Sequence, residues 1–160
     1  MAFRGFHAQK APFCQSKLVE ALTIPIYDII IDARPESKSF GLCEAFLLDP
    51  KKQNKLYVPR GFLHGFFVPK AEVGNDALFM YYCDNVYDHA SEICVAPMSV
   101  IPNILKSNED EKTSLQDVAK LLEDTEKLVL SEKDSKGLDY QTFMEEVSRE
   151  YKENGKIWHH

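Results

Sequence analysis

The residues best suited to proton chemistry stand at the start of the chain, in Phe3-Arg4-Gly5-Phe6-His7-Ala8-Gln9. His7 is the one group in this stretch that titrates near neutral pH, so it is the one that can both take and return a proton there. In an extended segment side chains alternate faces, which groups Phe3, Gly5, His7 and Gln9 on one side and Arg4, Phe6 and Ala8 on the other. A glycine between large residues also permits a close backbone approach, or a bulge that re-aims its neighbours. We read His7 as a catalytic base whose pocket is built by the strands that follow. A half-buried structural histidine fits the same few residues.

Metal chemistry is the next candidate. A β-sandwich of this size with an early histidine suggests a metal-binding cupin, whose pattern is two histidines one residue apart, then a glutamate, then a later histidine. Here the pair is His7-Ala8-Gln9, and a glutamine amide is a poor ligand for a transition metal. His64 has no second histidine or carboxylate near it in sequence. A catalytic metal is therefore not expected. Cys14, Cys43, Cys83 and Cys94 are scattered with no C-x-x-C pair, which fits reduced, partly buried thiols. Asp28 lies in an apolar run and needs a partner, a backbone group or a cation.

The elements that must position these groups are mostly short strands. Residues 3–9 and Lys17 to Leu22 read as strands. Ile26 to Ile31 is a β-branched run typical of a buried strand. Phe40 to Leu48, Lys55 to Val58, Phe62 to Val68 and Ala77 to Cys83 follow, with an acidic loop at Glu72 to Asp76 before the last. Pro12, Pro25, Asp32 to Ser37 and Asp49 to Asn54 supply turns. Such spacing predicts an all-β sandwich or barrel. After Pro102 the pattern changes. Lys106 to Lys112 reads as a solvated linker, and Ser114 with Asp117 opens a helix carrying Leu115, Val118, Leu121, Leu122 and Leu128 at helical spacing. Asp139 to Tyr151 is a second helix, with Phe143, Val147 and Tyr151 on one stripe. His159 and His160 belong to no motif.

A chain of 160 residues fits one compact core, and a formal net charge of −6 excludes nucleic-acid binding through a basic surface. No apolar run is long enough to span a bilayer, and no signal-peptide apolar core opens the chain, so no membrane association and a cytoplasmic location are expected.

Several stretches fall in the order of a known family. They are Arg4-Gly5-Phe6-His7-Ala8-Gln9, Lys17-Leu18-Val19, Tyr27 to Arg34, Ser39-Phe40-Gly41, Val58 to Phe66 with its Gly-Phe-Leu-His-Gly-Phe core, Phe79-Met80-Tyr81, Tyr87 to Glu92, and Leu130 to Asp134. Over residues 3 to about 136 the chain resembles the dTDP-4-dehydrorhamnose 3,5-epimerase family. The resemblance implies a mainly β fold, a cupin-like jelly-roll β-sandwich over residues 1–105. Residues 106–160 would form a helical C-terminal extension that returns Leu130–Asp134 to the site. It also implies a homodimer, no metal or organic cofactor, and a nucleotide-linked 4-keto-6-deoxy sugar as substrate, in deoxysugar and cell-surface polysaccharide biosynthesis.

By the same resemblance His7 is the base and Asp134 the carboxylate paired with it. Tyr81 is the acid on the opposite face of the sugar, and Lys17 stabilises the enolate oxygen. Arg4 and His64 lie near sugar and diphosphate, with Gln9 and Tyr87 as further substrate contacts. Each has a plain structural alternative. Lys17 could blunt a strand edge, Tyr81 could be core packing, and Asp134 could sit in a polar turn before Gly137. Their joint order favours the functional reading.

The chain departs from the family pattern in three places. Only Met1-Ala2-Phe3 precede Arg4, so it reads as N-terminally short. The connection from Glu92 to Asp134 is long, helical in pattern and lacks a Trp-Asn-Asp-like stretch. A tail from Asp139 to Trp158 is extra, and these helices are expected to cover surface that absent strands would leave bare. Besides an epimerase, a sugar-nucleotide-binding or scaffold protein of this fold that has lost turnover remains open; a metal cupin is the least supported.

Overall fold

The computed structural model describes residues 1–69, 76–106, 114–123, 125–155 and 157–158. Among these residues eight strands form two antiparallel sheets. The strands are β1 (Ala2–Gln9), β2 (Lys17–Ala21), β3 (Ile26–Asp32), β4 (Cys43–Leu48), β5 (Leu56–Val58), β6 (Phe62–Val68), β7 (Phe79–Cys83) and β8 (Glu92–Cys94). The larger sheet runs β4-β3-β6-β1-β8 and the smaller β5-β2-β7. Four helices follow: α1 (Pro97–Lys106), α2 (Ser114–Leu121), α3 (Glu132–Ser135) and α4 (Tyr140–Asn154).

Alternation along β3 and β6 decides the layering. Ile26 and Ile30 of β3, with Val68 of β6, join Val19 and Ala21 of β2 in a cluster between the two sheets. The intervening residues Ile29, Ile31, Leu63 and Phe67 point the other way and meet the helices. There they pack with Val100, Ile101 and Ile104 of α1, Leu115 and Val118 of α2, and Phe143 of α4. The order is thus helices, large sheet, small sheet. Ile26, Ile29 and Ile31 are fully buried, as the β-branched run predicts. Each such burial contributes about 1.5–3 kcal/mol.

The strands match the expected set with small changes at their ends. The fourth begins at Cys43 rather than Phe40, because residues 37–42 form hydrogen-bonded turns, among them Phe40 N–H to the Ser37 carbonyl and Gly41 N–H to the Asp32 carbonyl. The stripes Leu115–Val118–Leu122 and Phe143–Val147 are buried, and Asp139 caps α4 by accepting from Thr142 N–H at 3.1 Å. Three elements were not expected, the one-turn helix α3 among them. β8 is only three residues long, below what alternation can signal. Helix α1 contains Pro102, a residue that normally ends a helix. Its ring lies on the exposed side, while Val100, Ile101 and Ile104 are buried, so packing outweighs the lost hydrogen bond. The acidic loop, apart from Asp76, the linker after Lys106, and the terminal histidines lie outside the described residues.

The C-terminal end is tied to the sheet. Trp158 is buried and donates its indole N–H to the Ala33 carbonyl at 2.8 Å. Beside it Arg34 forms a two-pronged contact with buried Asp32, at 2.8 and 2.7 Å. Burial works against that carboxylate, but the bonds from Arg34, Ser37 and Ser39 outweigh it and hold Asp32 down at about 2.

Candidate active site

The site is set by one irregularity in β1. Arg4 pairs with Phe66 of β6 and His7 with His64, so β1 spends three steps where β6 spends two. The extra residue makes a bulge. Gly5 takes φ +109°, and a Cβ there would lie 2.6 Å from Gly65 Cα and 2.7 Å from the His64 carbonyl oxygen. Only glycine fits. The bulge changes which side chains share a face. Phe3 and Phe6 both enter the core, while Arg4, His7 and Gln9 all line a cavity between the sheets. The strict alternation that placed Phe3 with His7, and Arg4 with Phe6, therefore does not hold; the re-aiming of neighbours by Gly5 does.

His7 is backed by a carboxylate. Its Nε2 lies 2.8 Å from Asp134 Oδ1. Asp134 is completely buried in α3, with its backbone N–H bound to the Ser131 hydroxyl at 3.0 Å. A carboxylate only accepts, so the proton of a neutral His7 sits on Nε2 and Nδ1 keeps a free lone pair. Burial lowers the pKa of His7 below the ordinary histidine value, and the nearby Lys133 cation lowers it further, against the upward pull of Asp134. At neutral pH the ring is thus the uncharged base. Lys133 is itself held by Glu92 at 2.7 Å, and Tyr87 donates its hydroxyl to the same carboxylate at 2.9 Å. Burial works to raise Glu92, but these contacts bring it below the usual range.

A second histidine–aspartate pair lies deeper. His64 Nε2 and Asp28 Oδ2 are 2.7 Å apart, both buried. This is the partner that Asp28 needs within its apolar strand. Sequence reasoning marked both residues but not their pairing, which depends on β3 and β6 being neighbours.

The smaller sheet supplies the facing wall. In β7, Phe79, Tyr81 and Cys83 alternate onto the cavity. Lys17 of β2 stands opposite Cys83 and lines the same space. Burial lowers the Lys17 pKa, with Cys83, Asp28 and Glu92 pulling it back up. The cavity measures about 710 Å³ and gathers Arg4, His7, Gln9, Lys17, His64, Tyr81 and Tyr87. Asp134 lies behind His7, off the cavity surface. Gln9 is heavily engaged already: its amide donates to the carbonyls of Phe13 and Val86 at 3.0 and 3.3 Å and accepts from Asp88 N–H at 2.7 Å. Lys133 and Glu92 also line the cavity and were not singled out from sequence. Both follow from β8 and α3, elements too short to read.

The sequence profile of the family described as dTDP-4-dehydrorhamnose 3,5-epimerase matches residues 1–142. The chain belongs to this family. Similar members include the dTDP-4-dehydrorhamnose 3,5-epimerase of Escherichia coli K12, 36% identical over 89 residues that are 56% of this chain and 46% of that protein. The Salmonella typhimurium LT2 enzyme of the same name is 31% identical, over 75% of this chain and 68% of that one. The crystal structure of the epimerase from Elizabethkingia anophelis superposes with a TM-score of 0.63 at 32% identity, covering 88% of this chain and 67% of the other. A Legionella pneumophila 3,5-epimerase in complex with dTDP-4-keto-L-rhamnose gives a TM-score of 0.67 at 25% identity, covering 91% and 66%. The chain spans about half the length of the E. coli and Shigella flexneri family members it matches, 46% and 47%. The two-sheet architecture is the cupin-like fold of these epimerases.

Proposed function

We propose that this chain epimerises C3, C5 or both in a nucleotide-diphosphate-linked 4-keto-6-deoxy sugar, using side chains alone. One observation carries the reading: a neutral histidine backed by a buried carboxylate on one wall, and a phenol and an ammonium on the other, line a single cavity of about 710 Å³. That volume lies in the range of small-molecule sites.

The chemistry follows from the substrate's ketone. A carbonyl at C4 acidifies the hydrogens on C3 and C5. His7 Nδ1 removes one of them, and the imidazolium that forms is stabilised by Asp134. The electron pair moves onto the C4 oxygen as an enolate, whose charge Lys17 offsets. Tyr81 returns a proton to the carbon from the opposite face, inverting it, and regains its own from solvent. Arg4, exposed on the cavity lining, meets the diphosphate, and His64, Gln9 and Tyr87 contact the sugar or its linkage.

The product would feed deoxysugar and cell-surface polysaccharide assembly, including lipopolysaccharide, from the cytoplasm where nucleotide sugars are made. No helix among the described residues is long and apolar enough to cross a membrane. A homodimer is supported by the outer face of the small sheet, where Tyr57, Leu18 and Tyr82 stand side by side across three strands and are all exposed.

The test is deuterium uptake by a dTDP-4-keto-6-deoxy sugar in D₂O, followed by NMR. The native chain should place label at C3 or C5. His7→Asn should abolish uptake with the fold intact, and Tyr81→Phe should leave uptake measurable while inverted product is lost. Binding of the nucleotide sugar with no label uptake by the native chain overturns the reading in favour of a protein that binds without turnover.

A further inference from the structure

We propose that His7, Cys94 and Asp134 form a zinc site whose occupation switches the base off. Strand pairing sets His7 of β1 directly opposite Cys94 of β8, so both side chains leave the sheet on one face. Asp134 arrives from α3. One donor atom from each residue lies within 4.8 Å of the other two. The His7 Nε2 to Asp134 Oδ1 separation is 2.8 Å and the Cys94 Sγ to Asp134 Oδ1 separation is 3.8 Å.

A tetrahedral zinc with ordinary bond lengths needs ligand atoms roughly 3.3–3.6 Å apart. The histidine–aspartate pair has to open slightly and the thiol to close slightly, both within side-chain motion. A nitrogen, sulfur and oxygen donor set takes zinc and not magnesium or calcium. A second feature points to a ligand here. Asp134 is fully buried, and its Oδ2 has no hydrogen-bond partner among the described residues. Three side-chain donors leave a fourth coordination position for water. The neighbouring Lys133 cation is held by Glu92, which reduces its opposition to a metal.

Cys94 loses its thiol proton to solvent and binds as thiolate. The proton on His7 Nε2 is exchanged through solvent to Nδ1, and Nε2 binds the ion. Nδ1, the atom that would take the proton from the sugar, is then capped. Cys94 has no part in the proposed epimerisation and does not line the cavity. Zinc binding stands independently of the activity, whereas the switch rests on the epimerase reading.

The experiment titrates chelator-treated chain with zinc, and in parallel with cobalt(II), for native protein and Cys94→Ser. A single zinc per chain should be lost, or weakened by more than the roughly 10–100-fold that removal of a mere outer-shell partner costs, in the variant. The native cobalt complex should show a thiolate charge-transfer band that the variant lacks. Deuterium uptake by the native chain should stop with zinc and return with chelator, while Cys94→Ser keeps basal uptake and resists zinc. Equal zinc binding by both proteins, or a cobalt complex without the thiolate band, overturns the site. Thiolate-bound zinc with undiminished uptake overturns the switch alone. If the native chain takes up no label, the epimerase reading falls and the metal titrations still decide the site.

Discussion

Replacing Asp134 by Asn tests the proposed base, His7, most directly, because it alters one atom behind the cavity and none within it. In the native chain His7 Nε2 faces a carboxylate oxygen at 2.8 Å, with the aspartate side chain only 1% exposed and the histidine 25%. When His7 takes a proton its ring charge forms about 4 Å from the carboxylate charge. For a partly screened pair that attraction is about 4 kcal/mol. An asparagine keeps a neutral hydrogen bond of about 1 kcal/mol. The loss of about 3 kcal/mol slows proton abstraction by roughly 10²-fold. An amide that turns its NH₂ toward Nε2 imposes the wrong tautomer and brings the loss toward roughly 10⁴-fold. The pH profile carries the sign. His7 already sits below the ordinary histidine value, through burial first and Lys133 second, with Asp134 pulling upward. Removing the upward pull lowers it again, so the acid limb of kcat/KM moves to lower pH while the plateau falls. The assay is initial deuterium uptake across a pH series, with near-ultraviolet circular dichroism to confirm the fold. A variant within threefold of native rate and with an unmoved acid limb would refute the pairing as part of the mechanism.

Lys17→Met should lower kcat by roughly 10²–10³-fold while leaving the affinity for dTDP, which lacks a keto sugar, nearly unchanged; calorimetry beside kinetics separates the two. Gly5→Ala should cost at least about 2–3 kcal/mol, because its Cβ meets the backbone of the neighbouring strand in a conformation that alanine avoids, and urea midpoints will show it. Asp28→Ala strands His64 in the interior and should cost about 3 kcal/mol, with Asp28→Asn milder; equal stability of Asp28→Ala and native chain would remove the deeper pair from the list of structural ties.

The strands were legible because their side-chain pattern is strong. The run Ile26–Ile31 and the stretch Phe62–Val68 are largely buried on both faces, as near-continuous apolar strands are. The residues gathered at the cavity were legible through order along the chain, since Arg4, His7, Lys17, His64 and Tyr81 are far apart in sequence and share no local pattern. What was hidden depends on tertiary neighbours. The union of Asp28 with His64 needs the β3–β6 pairing. The placement of Lys133 and Glu92 beside His7 needs a three-residue strand and a one-turn helix. The regrouping around Gly5 needs a backbone crossing with Gly65 that no periodicity announces. Helix α1 was obscured by Pro102, whose cost is offset by three buried neighbours.

The two walls of the hollow are unequally supported. His7 is carried by a sheet with a layer of helices behind it, whereas Tyr81 and Lys17 are carried by three strands whose reverse side shows Tyr57, Leu18 and Tyr82 to solvent. Warming will therefore loosen the wall that carries Tyr81, the proposed proton donor, before the wall that carries His7, the proposed acceptor. A heated sample should go on exchanging hydrogen with water after it has stopped inverting carbon, so stereochemical fidelity fails at a lower temperature than reactivity. Dilution should lower that temperature further wherever a second copy braces the bare strands.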